Sequence, residues 1–82
     1  MSGPGRSPEV SDLELLREAA LIPDPVFTAT EIAERIDLTQ QAVDSRLRKL
    51  EDDLLVHSRK KGQARVWWLS QSGREFVAGD DQ

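Results

Sequence analysis

Between Asp37 and Val56 the apolar residues recur at the helical period: Val43, Leu47, Leu50 and Leu54 fall on one stripe of a 3.6-residue wheel, with Ala42 at its edge. The opposite side is polar and carries Gln41, Asp44, Ser45 and Arg48, with Gln40 at its margin and Asp52 further along. Thr39 stands just ahead as an N-cap able to hold the orphan N–H groups of the first turn. The pattern predicts an amphipathic helix over 40–53. Leu54 continues its buried stripe, so the helix is expected to reach a turn further.

The same period appears twice upstream. Ser11 and Glu14 fit a capping box, and Leu13, Leu15, Leu16, Ala19 and Ala20 give a first helix a broad apolar face that Leu21 and Ile22 close. Pro23 and Pro25 bar its continuation, because each lacks an N–H donor and pushes its predecessor toward extended geometry. Val26 to Thr28 is a short extended piece. Thr28 and Glu31 repeat the capping box; Ile32, Ala33 and Ile36 then face one way, Glu34 and Arg35 the other. Asp37, Leu38 and Thr39 form a short connection in which Leu38 plugs the angle between two helices. Two short helices joined by so tight a turn, the second exposing polar groups at its start, make a helix-turn-helix.

Past Val56 the period changes from 3.6 to 2. His57–Arg59 and Ala64–Leu69 read as two strands around Lys60-Lys61-Gly62-Gln63, where Gly62 supplies the positive φ of a tight hairpin turn. Adjacent Trp67 and Trp68 must face opposite sides of their strand. Trp67 belongs inside with Leu69; Trp68 lies outside, as a candidate protein interface or under the N-terminal segment. His57 reads as structural. From Ser70 a last short helix runs over 71–78, with Phe76 and Val77 folding back on the core. The expected organisation is a flexible tail over 1–10, a domain over 11–78 and a frayed acidic end over 79–82. Its fold class is α+β: a three-helix core, a two-stranded β-hairpin and a short C-terminal helix.

Length and composition narrow the functions. The 82 residues suffice for one small domain. Without cysteine there is no disulfide, thiolate catalysis or cysteine-ligated zinc, and His57, the only histidine, cannot build a usual histidine metal site or catalytic dyad in one chain. No nucleophile–base pair or phosphate-cradling glycine loop stands out, so neither enzyme nor cofactor is expected. No apolar run nears the ~20 residues of a membrane span, and MSGPGRSPEV lacks a signal peptide's apolar core, so a soluble cytoplasmic protein is expected, with no membrane partner. So short a chain leaves little volume for an effector pocket of ~300 Å3, and no small-molecule ligand is indicated.

Charge divides unevenly. From Arg46 to Arg65 there are seven basic and three acidic residues, a local +4; the remainder has four basic and twelve acidic, a local −8, giving the net −4. An acidic body with a basic edge is the footprint of a protein that touches phosphate on one side only. The acidic total, with three lysines against eight arginines, also resembles proteins of salt-loving archaea.

Residues 28–76 resemble the winged helix-turn-helix domains of small prokaryotic transcription regulators, of the broad kind that includes the MarR, PadR and phage-repressor-like groups. The succession TATEIAERIDLTQQAVDSRLRKLEDDLLV, the wing HSRKKGQARVWWLS and the exit SQSGREF carry the resemblance, which covers roughly two thirds of the chain. It implies that the helix after Thr39 enters the major groove of double-stranded DNA while the wing, over 57–69, reaches phosphates or the minor groove. The matching positions are Thr39, Gln40, Gln41, Asp44, Ser45 and Arg48 for the groove and Arg59, Lys60, Lys61 and Arg65 for the wing. Glutamine, serine and arginine can hydrogen-bond base edges, and Asp44 is expected to orient Arg48.

Two departures stand out. The family commonly places a glycine two residues before the valine that opens the first wing strand, ending the helix in a left-handed cap; Leu54 stands there instead. Many relatives also dimerise through long helices outside this unit, so a homodimer of this chain must be compact or built by other means. Two functions remain. One is sequence-specific DNA binding by a repressor-like regulator that acts by occupying a promoter. The other is a winged-helix module docking on protein, such as transcription machinery, through Trp68 and the acidic first helix. The location of the basic residues favours the first.

Overall fold

A computed structural model describes residues 10–79. Its elements are α1 (Asp12–Leu21), α2 (Ala29–Arg35), α3 (Gln40–Asp52), β1 (Val56–Lys61), β2 (Ala64–Leu69) and α4 (Gln71–Gly79). The fold is the α+β winged helix-turn-helix. The expected tails over residues 1–9 and 80–82 lie outside the described residues. Val10 is no tail residue: it packs against the core, and Gly79 still belongs to α4.

Each helix start follows from its cap. Ser11 and Glu14 close a capping box at 2.8 and 3.1 Å, Thr28 and Glu31 another at 2.8 and 3.2 Å, and the Thr39 hydroxyl accepts from the Ala42 N–H at 3.0 Å. The core stacks Leu15, Leu16 and Ala19 of α1 on Ile32 of α2 and on Val43, Leu47 and Leu50 of α3; Phe27, Val56 and Trp67 close it. Ala20 and Leu21, by contrast, are exposed, since α1 buries only one stripe.

Helix α3 ends one turn earlier than its apolar stripe suggests. The Leu55 N–H donates to the Leu50 carbonyl and the Leu54 N–H to Glu51, the paired bonds of a Schellman cap, and Leu54 takes φ +66°. Leu54 is thus no member of the core: it is 65% exposed. The left-handed cap forms without glycine, at a cost of about 1–2 kcal/mol for an L-residue with a Cβ. Because Leu54 buries little, Leu54→Gly should stabilise the domain by about 0.5–1 kcal/mol after the glycine's own entropic cost. A rise of a few degrees in the thermal midpoint would register it.

The corner that follows is tied to α4. Buried Ser70 donates its N–H to the Leu55 carbonyl at 3.1 Å and its hydroxyl to the Leu54 carbonyl at 2.7 Å, while Oγ accepts from the Gly73 N–H at 2.9 Å. One side chain therefore caps α4 and satisfies the end of α3. In α4, Val77 packs on the core but Phe76 does not fold back; it is 43% exposed, one position and about 100° further round the helix.

Strands β1 and β2 pair antiparallel from Val56↔Leu69 to Lys61↔Ala64, so the strand begins at Val56 and the turn shrinks to Gly62-Gln63. Gly62 alone of the two has positive φ, +64°, as in a type II′ turn. Phe27 adds a single antiparallel bridge to Trp67, with reciprocal N–H···O bonds of 2.9 and 2.8 Å. The extended piece before α2 is thereby stitched to the wing.

Candidate nucleic-acid interface

The exposed face of α3 and the wing enclose an open groove of about 400 Å3. Gln40, Asp44 and Arg48, one helical turn apart, form its first wall; Lys60 and Arg65, cross-strand partners, form the second, and buried Trp67 lies beneath. Thr39, Gln41 and Ser45 are exposed but lie outside the groove lining. Thr30 of α2 and Gln63 of the turn also line the groove, and neither was singled out by sequence. Gln63 had one usable signal, its place in a turn between basic strands.

Within the first wall the Arg48 guanidinium donates to the Asp44 carboxylate at 2.8 Å. That hydrogen bond, and then the carboxylate's charge, raise the Arg48 pKa above its ordinary value. The pair is exposed to solvent, so it adds little to the stability of the fold. In the second wall Arg65 Nη1 donates to Ser58 Oγ at 2.8 Å, and Ser58 Oγ donates to Glu51 Oε2 at 2.8 Å. Glu51, near the end of α3, thus holds a wing cation in place through a serine.

The basic residues do not form one edge. Arg46 points away from the groove, where its Nη2 donates to the Val10 carbonyl at 2.7 Å and to Asp12 at 2.8 Å, pinning α3 to the start of α1. In the wing the strand alternation puts Lys60 and Arg65 on the groove side, whereas Arg59 and Lys61 leave from the far face beside Val66 and Trp68. Trp68 is half-buried there, its ring 5.9 Å from that of His57. Whether the N-terminal segment covers it falls outside the described residues.

The grooves on the two faces of the wing, of about 400 and 460 Å3, also exceed the spare volume expected from length, because they lie between elements rather than inside the core. Among the described residues no cluster of potential metal ligands occurs, and no helix is long and apolar enough to cross a membrane.

No protein-family model matches the sequence, and no curated protein matches it either. Solved structures do share the fold. AF1382 from Archaeoglobus fulgidus is 18% identical with a TM-score of 0.75, over 84% of this chain and 78% of its own. A MepR variant of S. aureus bound to an oligodeoxyribonucleotide is 26% identical with a TM-score of 0.70, over 80% of this chain and 50% of its own. BpsR of Bordetella bronchiseptica, whose DNA binding is regulated by 6-hydroxynicotinic acid, is 14% identical with a TM-score of 0.68, over 85% and 52%. The chain therefore spans about half the length of the last two.

Proposed function

We propose that this chain is the sequence-specific double-stranded DNA-binding unit of a transcriptional regulator. The observation that carries the reading is the two-walled groove. A helix that lines the groove with Gln40 and Arg48 stands opposite a wing that turns Lys60 and Arg65 toward the same space. The likeness of fold to a MepR variant bound to an oligodeoxyribonucleotide supports it. In this reading α3 enters the major groove, Gln40, Gln41, Ser45 and Arg48 meet base edges, Thr39 meets backbone, and Asp44 sets the direction of Arg48. Lys60 and Arg65 neutralise phosphate. Regulation then works by occupancy of a promoter, with no chemistry of the protein's own.

Fluorescence anisotropy of a labelled mixed-sequence duplex, followed across a salt series, tests this. The native chain should bind with a steep salt slope, and the Lys60→Ala/Arg65→Ala double variant should lose about 1.8 from that slope, at about 0.9 per phosphate contact. No binding at any salt where the protein stays folded would overturn the reading. Equal slopes for both proteins would remove the wing from it.

A further inference from the structure

On the far face of the wing, Val66 and Trp68 join Pro25 and Val26 of the loop before α2 to floor an open groove of about 460 Å3. Its rim is cationic, with Arg59 and Lys61 from β1 and Arg74 from α4. Among the described residues none of these three side chains makes an ion pair or hydrogen bond. An apolar floor ringed by uncommitted cations, on a chain of net charge −4, calls for an occupant that is apolar at its centre and acidic around it.

The chain carries such a shape on its own surface. At the corner between α3 and β1, Asp52, Asp53 and Leu54 are exposed in succession. Three unfavourable choices coincide there. Leu54 holds a left-handed backbone that glycine would take without strain; its side chain is left 65% exposed; and two carboxylates crowd the negative end of a helix dipole. Strain and exposure kept together at one surface point are what a contact site costs the free monomer.

We propose that two copies of this chain associate knob into groove: Leu54 of one copy seats on Trp68 and Val26 of another, with Asp52 and Asp53 against Arg59 and Lys61. Knob and groove are different surfaces of one molecule, so each copy can offer either. The groove between α3 and the near face of the wing takes no part, since none of these residues lines it.

Sedimentation velocity without DNA, from about 10 μM to 1 mM as suits a small interface, provides the test. The native chain should self-associate, and less so at 1 M salt, where screening reaches about 3 Å. A knobless variant, Asp53→Lys/Leu54→Gly, should bind itself at least about 10-fold more weakly while remaining as stable as the native chain or more so. A grooveless variant, Arg59→Glu/Lys61→Glu, should behave likewise. Mixed together, the two should form a one-to-one complex, since each retains the half the other lacks. A native chain that is monomeric at 1 mM overturns the proposal, as does a knobless variant that associates like the native chain. So does a mixture in which no complex forms.

Discussion

Replacing Gly73 by alanine should destabilise the domain by about 2–4 kcal/mol, against a usual gain of about 1 kcal/mol for glycine to alanine in a helix. Gly73 lies buried in the first turn of α4, and a Cβ there would overlap the Leu55 carbonyl oxygen, with the Leu55 carbonyl carbon 3.1 Å away. That oxygen is backbone and is already held by the Ser70 N–H, so no side-chain rotation makes room. Helix α4 must retreat from the corner, loosening the Ser70 bonds to Leu54 and Leu55 together. At about 4–8 °C per kcal/mol for a domain of this size, the thermal midpoint should fall by about 10–25 °C. Gly79→Ala is the matched control, since a Cβ there meets nothing. Equal midpoints for the two variants would show that α4 does not depend on this close approach.

The second large effect concerns recognition. Arg48→Ala should cost about 1–3 kcal/mol against the best-bound duplex and flatten the preference among sequences, as expected of a bidentate contact to guanine. On the proposed reading Asp44→Ala should shift preference more than affinity, because Asp44 holds Arg48 through the 2.8 Å bond and itself contacts neither base nor phosphate. Affinity selection from a random duplex pool would separate the two. A uniform gain in binding by Asp44→Ala to every sequence would reduce Asp44 to a repelling surface charge. Arg48→Ala weakening all duplexes alike would make Arg48 a phosphate contact.

Much of this architecture was legible because it rests on local rules. Capping boxes at Ser11 and Thr28, the N-cap at Thr39 and the change of period at Val56 each act within a few residues of chain. The separation of Trp67 from Trp68 follows from the pleat alone. What escaped depended on direction or on distant partners. A count of charge between Arg46 and Arg65 cannot see that residues two apart on a helix point about 200° from each other, and so it credited Arg46 to the edge that Arg48 occupies. The same blindness merged Arg59 and Lys61 with Lys60, although strand alternation divides them. Leu54 fitted the apolar wheel, yet the end of α3 is set by backbone bonds from Leu54 and Leu55 and by the anchoring of α4 through Ser70. The pairing of Phe27 with Trp67 joins positions forty residues apart, a relation that no local pattern contains.

That last pairing makes the wing a cantilever. Its base is clamped on both sides, by β1 and by the Phe27 bridge at Trp67, while among the described residues the span beyond, out to Gly62, is braced by its own ladder and by the Glu51–Ser58–Arg65 strut. A span held at one end bends most at its free end, so movement of the wing is expected to be greatest at Lys60 and Gln63, at the mouth of the groove, and least at Trp67 on its floor. If the proposed DNA binding holds, a jaw built in this way would keep α3 in one register on the duplex and follow variations in groove width with the wing tip alone.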